Sequence, residues 1–193
     1  MEFQDVVRKR RMVRSFHADR PVPEESVERI LRNATRGPSA GFSQGQAFLV
    51  LTGDDLAKFW ALRPKDNDVS TAPLLIVPMS CKRVYLDRYA QPDKGWADRD
   101  EARWPVPFWH IDTGMAALLI LQTVVDEGLG ALYFGIQPED VPVFRTTFGV
   151  PADHEPIGAI AIGYSAEDSG TRVGSSRTRS RRPVDEVVHV GRW

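Results

Sequence analysis

Residues 115–125 restrict the possible folds of this chain most strongly, because they are apolar on almost every side of a helix. The pattern predicts a helix over about residues 111–127, which Asp112 or Thr113 can cap and Gly128 can end. A helix with no polar face has to be covered on every side. One sheet in a chain of 193 residues does not easily do this, so we expect a second subunit as the other cover. The alternative is a central helix that is buried within one subunit.

The remaining hydrophobic periodicity predicts a mixed order of helices and strands in a single domain over residues 1–193. Helices are predicted at residues 3–10, 24–35 and 54–61, and strands at residues 47–52, 74–79, 131–134 and 157–162. Two further stretches look irregular. Residues 83–109 are a charged and aromatic excursion, which we interpret as a lid or substrate loop. Residues 166–182 are a basic loop that we expect to be mobile unless an anion orders it.

The composition argues against several classes of protein. Acids and bases nearly cancel to a formal net charge of −1, which disfavours a general nucleic-acid or membrane-surface binder. The apolar run at residues 115–125 is too short to span a bilayer. The single cysteine, Cys81, cannot form an intrachain disulfide, and the N-terminus lacks a signal-peptide core, so we expect a cytoplasmic protein. The four histidines show no metal-ligand spacing, so no metal site is expected.

Basic residues are concentrated near both ends of the chain. This distribution indicates either one shared anionic ligand or two solvated basic surfaces. Arginine suits an anionic ligand, because its guanidinium group binds phosphate through two parallel hydrogen bonds and stabilises negative charge that develops on a carbonyl. The first cluster contains Arg8, Lys9, Arg10, Arg11 and Arg14, and the second contains Arg172, Arg177, Arg179, Arg181 and Arg182.

The segment from Gly41 to Gly45 reads Gly-Phe-Ser-Gln-Gly, a pattern that serine hydrolases use around their nucleophile. In those enzymes the serine follows a strand and precedes a helix. Here a predicted helix precedes the motif and a predicted strand follows it. A loop rich in glycine and serine is therefore the better interpretation, and a hydrolase with Ser43 as its nucleophile is the alternative.

Several runs of the chain resemble, in the right order, landmarks of the FMN-dependent nitroreductase family. They are RKRRMVRSFHADRPVPEESVERIL, GPSAGFSQGQAFLVLT, DTGMAALLILQTVVDEGLGALYFGI, IGAIAIGY and SRRPVDEVVH. The resemblance implies an α+β, three-layer fold with a central, mostly antiparallel sheet flanked by helices, assembled as an interlocked homodimer. It also implies an oxidoreductase that passes electrons from NADH or NADPH through FMN to an electron-poor acceptor, such as a nitroaromatic or a quinone, by ping-pong turnover.

The resemblance also implies roles for individual residues. Arg14 would face the N1 and C2 carbonyl edge of the flavin and stabilise its reduced form, and no acid or base side chain is needed. Arg10 and Arg11, joined by Arg181 or Arg182, would bind the FMN phosphate. The other implied cofactor contacts are Met12, Pro38, Ser39, Ala40, Gln44, Phe134 and Gly135. Among these, Gln44 is a candidate to reach the flavin from the other subunit, and the Phe134 and Gly135 backbone would approach flavin N5. The implied substrate pocket contains Phe42, Trp104 and Phe108.

The chain departs from the family pattern at three places. Met12 replaces the usual serine and removes a hydroxyl donor to the phosphate, and Phe42 replaces an asparagine that contacts the ring. Gly45 and Gln46 stand where the family has proline and tryptophan. These departures leave a deazaflavin as an alternative cofactor. They also leave open a protein that stores or sequesters flavin with little turnover, with Phe42 or Trp104 blocking the pocket.

Overall fold

The computed structural model describes residues 1–63, 68–167 and 178–193. Its helices are α1 (Phe3–Lys9), α2 (Glu24–Ala34), α3 (Gly53–Ala61), α4 (Lys82–Tyr89), α5 (Phe108–Asp126) and α6 (Val141–Phe148). Its strands are β1 (Gln46–Leu51), β2 (Leu74–Ser80), β3 (Gly130–Phe134), β4 (Glu155–Pro156) and β5 (Ala159–Gly163). Short 3-10 turns lie at Ala40–Phe42, Asp68–Thr71, Glu101–Arg103 and Val184–Glu186.

The strands form one antiparallel sheet in the order β1-β2-β5-β3, and the short strand β4 also pairs with β2. Strands β2 and β5 are central and are buried along their whole length. Such strands need a continuous apolar sequence, because helices cover both of their faces. The predicted antiparallel sheet is therefore confirmed.

The sheet separates two hydrophobic layers. Side chains alternate along β2, so that Leu74 and Ile76 face α2 and α5, whereas Leu75 and Val77 face α3 and α6. Ile30 of α2 and Phe59 of α3 are the matching buried residues on the two sides. This arrangement confirms the predicted three-layer fold with helices on both faces of the sheet.

Helix α5 is only partly covered by its own subunit. Its inner side packs on α2 and the sheet, but Ile111, Met115 and Leu118 are 36%, 40% and 47% exposed. These residues recur at helical spacing and form one apolar stripe. Gly114 lies on the same side, and a Cβ atom on it would meet no atom within 4 Å. We call residues 111, 114, 115 and 118 the α5 stripe.

Helix α5 is the one helix of the described chain that is long and apolar enough to cross a membrane. Half of an 18-residue apolar stretch of this helix is buried inside the subunit, between the sheet and α2. The buried half belongs to the core of the three-layer fold.

The structure corrects three predictions about local structure. The predicted excursion at residues 83–109 begins with the helix α4 and ends with the first turn of α5. Helix α4 is inconspicuous in the sequence because its one buried residue is Tyr85, and charged side chains surround it. Helix α6 was not predicted, and β5 begins at Ala159, two residues later than predicted, after the short strand β4 that pairs with β2. Of the predicted mobile loop at 166–182, residues 168–177 lie outside the described residues.

Candidate functional site

The segment after α1 is held against the end of the sheet by its backbone. The Val13 N–H donates to the Ala131 carbonyl over 2.9 Å, and Phe16 bridges to Ser165. Val13 and Phe16 are buried, and the absence of a side chain at Gly130 makes room for Val13. We call residues 10–14 the arginine segment, because this anchoring fixes the backbone from which Arg10, Arg11 and Arg14 project.

The arginines of this segment have different partners. Arg10 is half-buried, and its guanidinium makes no hydrogen bond or ion pair within the described residues. Arg11 forms an ion pair with the buried carboxylate of Glu167, which also accepts a hydrogen bond from the Arg14 backbone N–H. The Arg14 guanidinium donates to the Met12 carbonyl over 3.3 Å. Of these arginines, Arg10 is therefore the one most available to an anionic ligand.

The Met12 side chain turns into the core instead of toward the arginines. It packs against both hydrophobic layers, and its sulfur accepts a hydrogen bond from the Tyr133 N–H over 3.4 Å. A serine could not fill this space. The substitution at position 12 therefore serves the packing between the arginine segment and β3.

The C-terminal arginines do not join the arginine segment within one subunit. Arg181 and Arg182 are exposed, and Arg182 binds Glu186 of its own segment. No hydrogen bond or ion pair among the described residues connects residues 178–193 to the rest of the chain. This segment also exposes Val190 and Trp193 almost completely. Arg172 and Arg177 lie outside the described part of the chain.

The loop at residues 37–45 is seated on α4 and α5. The Ala40 N–H donates to Asp112 of α5 over 2.8 Å, and the Arg88 side chain of α4 donates to the Gly41 carbonyl over 2.9 Å. A Cβ atom on Gly41 would lie 2.6 Å from the Tyr89 ring, so only glycine allows this approach. Pro38 is exposed, and Ser39 and Ala40 are half-buried. The loop directs Phe42, which is 75% exposed, and Gln44 away from the protein.

Ser43 lacks the geometry of a catalytic serine. Its side chain is buried, and its hydroxyl donates to the Ala40 carbonyl over 2.6 Å. The residue lies before β1 instead of between a strand and a helix. The structure therefore gives no support to the hydrolase alternative at this serine.

A serine, a histidine and a carboxylate do meet elsewhere. The Ser80 hydroxyl lies 2.9 Å from His110 Nδ1, and His110 Nε2 lies 3.5 Å from Glu155. Ser80 is 1% exposed at the end of the central strand β2, so a substrate cannot reach its hydroxyl. This grouping connects α5 to the sheet.

Potential metal ligands also meet at the neighbouring corner of the sheet. One ligand atom from each of Cys81, Asp153 and His154 lies within 4.8 Å of the others. Hydrogen bonds from His154 and Arg83 lower the pKa of Asp153 to about 2. Because the Arg83 guanidinium already neutralises this carboxylate, the cluster has a complete set of internal partners.

The aromatic excursion after α4 is a packed cluster around Trp104. The Trp104 ring lies 4.5 Å from Tyr89, 5.4 Å from Trp96, 5.9 Å from Phe108 and 6.0 Å from Trp109, measured between centroids. No ring contact among the described residues joins Phe42 to this cluster. The predicted pocket residues Phe42, Trp104 and Phe108 are therefore not collected into one pocket within a single subunit.

The end of β3 exposes its backbone. Gly135 is exposed, and a Cβ atom on it would meet nothing within 4 Å. The Phe134 ring stacks on Trp60 with centroids 5.9 Å apart. Arg63 lies over the Phe134 ring and donates to the Gly135 carbonyl over 3.0 Å. Arg63 was not predicted, because its contact depends on how α3 packs against β3.

The arginine segment and the loop at residues 37–45 lie at opposite ends of α5. The loop is bonded to Asp112 in the first turns of α5, whereas the arginine segment pairs through Met12 and Val13 with Ala131, at the start of the strand that follows the end of α5 at Asp126. Asp112 and Asp126 are about 21 Å apart along the axis, at 1.5 Å per residue. One subunit therefore keeps the two predicted parts of the site apart.

The fold and these features define a class of protein: a three-layer α+β subunit with an exposed apolar helix stripe and an arginine-rich segment beside the sheet. Comparison with known proteins gives the family. The sequence model of the Nitroreductase family matches residues 7–164, so the chain belongs to this family. The predicted resemblance is thus confirmed.

Relatives and solved structures are similar over almost the whole chain. A protein of Methanothermobacter thermautotrophicus, described as a candidate NADH dehydrogenase/NAD(P)H nitroreductase, is 32% identical over 175 residues, which are 89% of this chain and 82% of that protein. A candidate NADH oxidase from Clostridium acetobutylicum has a TM-score of 0.73 at 24% identity, covering 98% of this chain and all of that one. A candidate nitroreductase from Exiguobacterium sibiricum, solved in complex with FMN, has a TM-score of 0.76 at 19% identity, covering 98% and 97%. The chain is an oxidoreductase by its family, and the structural likeness shows the shared fold.

Proposed function

We propose that this protein is an NAD(P)H-dependent oxidoreductase with FMN as its resident cofactor. It would pass electrons to a nitroaromatic, quinone or similar acceptor by ping-pong turnover. The observation that carries the proposal is the arginine segment, which backbone bonds hold beside β3 with Arg10 half-buried and without a hydrogen-bond or ion-pair partner among the described residues. The family match and the FMN-bound structural neighbour support the choice of cofactor.

The residues present fit an FMN molecule, which is elongated, with a phosphate at one end and a flavin ring at the other. When bound, FMN supplies the hydride and electron chemistry. Arg10 would bind the phosphate, and Arg14 would place a fixed positive charge beside N1, where the reduced ring is negative. The exposed backbone at Gly135 would face N5. Arg11, whose charge Glu167 neutralises, would support the segment more than the phosphate.

We further propose that the site is completed in a homodimer. The α5 stripe is the surface for this contact, because it is apolar, exposed and opened by Gly114 to a close approach. If two copies of α5 pack antiparallel, the loop at residues 37–45 of one subunit lies beside the arginine segment of the other. A two-fold axis repeats this contact and produces two equivalent sites. Gln44 would then reach the flavin that the other subunit binds.

The C-terminal segment would complete the phosphate site. Arg181 and Arg182 stay in the proposal, although they do not contact the arginine segment in one subunit. Residues 178–193 make no bond to the rest of the described subunit, and they expose apolar side chains such as Trp193. The second subunit is the surface that these residues would contact.

Phe42 and the aromatic cluster would form the acceptor side of the pocket. Phe42 stands clear of its own subunit, where a flat ring could pack on the acceptor or the flavin. Trp104 and Phe108 are held in the aromatic cluster, so neither is placed to block the flavin pocket. No specific contact in the described part of the chain favours flavin storage over turnover.

An absorbance spectrum of the purified protein with added FMN tests this proposal. We expect a retained and perturbed flavin band after removal of excess FMN, and oxidation of NADH or NADPH that depends on an added quinone or nitroaromatic. Retained flavin without acceptor-dependent turnover would favour a storage protein. A protein that retains a deazaflavin but no FMN would have deazaflavin as its cofactor.

A further inference from the structure

Tyr85 and Asp112 form a hydrogen-bonded pair under the loop at residues 37–45. Both are buried, with exposed fractions of 0% and 4%. The Tyr85 hydroxyl donates to Asp112 Oδ2 over 2.8 Å, and the Ala40 N–H donates to the same oxygen over 2.8 Å. A buried carboxylate is unfavourable unless it is hydrogen-bonded. The pair is therefore a buried polar contact between α4 and α5.

The pair is connected to the loop through Ala40, and the loop has a hydrogen bond of its own. The Ser39 hydroxyl accepts a hydrogen bond from the Gln44 N–H over 2.7 Å. Burial raises the pKa of Tyr85, and the nearby polar groups of Ser39 and Gly45 act in the opposite direction. Hydrogen bonds thus connect Asp112 on α5 to Tyr85 on α4 and to Ala40 of the loop, and a bond within the loop joins Gln44 to Ser39. Gly45 completes the contact, because a Cβ atom there would lie 2.5 Å from the Tyr85 ring.

The loop is strained where it leaves this network. Phe42 and Gln44 both have φ of 56°, in the left-handed region that side-chain-bearing residues rarely adopt. Such residues persist when the surrounding structure over-determines them. The bonded residues Ser39 and Ala40 are the anchored part of the loop, and the strained residues Phe42 and Gln44 are its exposed part.

We propose that Tyr85 and Asp112 are positioning residues, which hold the loop in this strained conformation and so present Phe42 and Gln44 to the flavin. The proposal rests on the proposed function and extends it to residues that do not touch the cofactor. General stability alone does not explain the pair. A buried charged or polar pair stabilises a fold no better than apolar side chains of the same volume, whereas it does select one geometry.

The test compares Tyr85→Phe with Thr113→Val in the dimeric protein. Tyr85→Phe removes one buried hydroxyl and keeps the ring. Thr113 is also fully buried, and its hydroxyl donates within α5, to the Trp109 carbonyl over 2.7 Å. Both variants lose a buried hydrogen bond, but only the first loses a bond to Asp112, the residue that accepts the Ala40 N–H of the loop. Asp112→Asn is a second variant of the pair with conserved volume.

Two readouts are measured for each variant. Amide hydrogen exchange of residues 38–45 without flavin reports the loop, and FMN titration with visible circular dichroism reports the affinity and the environment of the ring. For Tyr85→Phe and Asp112→Asn we expect faster loop exchange, an altered flavin dichroism and a roughly tenfold loss of FMN affinity, the equivalent of one good hydrogen bond. For Thr113→Val we expect wild-type loop exchange, flavin dichroism and FMN affinity.

The outcomes separate this proposal from the proposed function. Wild-type protein that binds FMN, together with a Tyr85→Phe variant that binds it equally well and with the same dichroism, overturns the positioning role alone. Equal losses of affinity in Tyr85→Phe and Thr113→Val also overturn it, because the effect is then one of general stability. Wild-type protein that retains no flavin overturns the proposed function and this proposal with it.

Discussion

The arginine segment and the loop at residues 37–45 are two parts of one proposed site that are built in different ways. The arginine segment follows the edge of the sheet through backbone bonds, and the buried side chains of Val13 and Phe16 anchor it. The loop departs from regular backbone conformations, and a polar network from α4 and α5 holds it. The sheet and apolar packing position the arginine segment, whereas buried polar side chains of α4 and α5 position the loop.

This difference indicates where each part is vulnerable. The arginine segment supplies charge, and its backbone position should survive the removal of any one guanidinium. The loop supplies shape, and it depends on residues that lie beneath it. We therefore expect substitutions in the first part to change charge-dependent steps, and substitutions under the second to change geometry.

Separating the subunits of the proposed homodimer should have the largest effect, because it would remove the loop of one subunit from the arginine segment of the other. Leu118→Glu places a charge in the α5 stripe, the apolar surface of the proposed dimer contact. We expect a monomer by analytical ultracentrifugation and complete loss of retained FMN. The control is Val143→Glu on α6, a residue 45% exposed and away from the stripe. A monomer that still retains FMN would show that one subunit holds both parts of the site.

Arg14→Ala tests the charge beside the flavin ring. We expect the rate of flavin reduction to fall about 100-fold, as when one oxyanion-stabilising group is removed, with a smaller loss of FMN affinity. Stopped-flow reduction by NADPH, compared with an FMN titration, separates the two effects. A loss of affinity with an unchanged reduction rate would exclude this role.

Arg10→Ala tests the phosphate contact. We expect FMN affinity to fall about 10- to 100-fold, the range of a charge-assisted hydrogen bond, with little change in the reduction rate of the FMN-loaded protein. The control is Arg8→Ala, an exposed arginine of α1 that pairs with Asp5. Riboflavin sharpens the test, because it lacks the phosphate and should bind both variants equally.

Glu167→Gln tests whether Arg11 can attract the FMN phosphate once its carboxylate partner is removed. The change removes the carboxylate that neutralises Arg11, so we expect FMN to bind a few-fold more tightly and the affinity to depend more on salt. Asp5→Asn, which removes the partner of Arg8, is the matched control. Weaker FMN binding in Glu167→Gln would mean that Glu167 mainly positions the segment through the Arg14 backbone.

The smallest effect should come from the titration of Tyr85 at high pH. Burial raises the pKa of Tyr85 above its usual value of 10.0, so the folded protein keeps the phenol proton when the unfolded chain releases it. The contribution to stability is complete below pH 10 and is lost as pH rises above that value. Urea unfolding between about pH 9 and 11 should therefore depend less on pH in Tyr85→Phe than in wild type. An identical dependence in both would argue against a protonated phenol under the loop.

Most of the fold could be predicted from the chain. The strands β1, β2 and β3 and the helices α2, α3 and α5 follow from hydrophobic periodicity, which depends on local spacing. Helix α4 was missed because a single aromatic residue, Tyr85, anchors it among charged neighbours. Helix α6 and the short strand β4 were also missed.

The sequence by itself determined the family, the layered architecture and the positions of the arginines, because these depend on residue type and on short spacings. Only the tertiary structure decided which arginine has a carboxylate partner, since Arg11 and Glu167 are 156 residues apart in the chain. It also decided that Met12 faces the core and that Tyr85 and Asp112 meet under the loop. The physical reason is that hydrogen bonds and ion pairs of buried polar groups depend on how separate elements pack, and no local pattern encodes that packing.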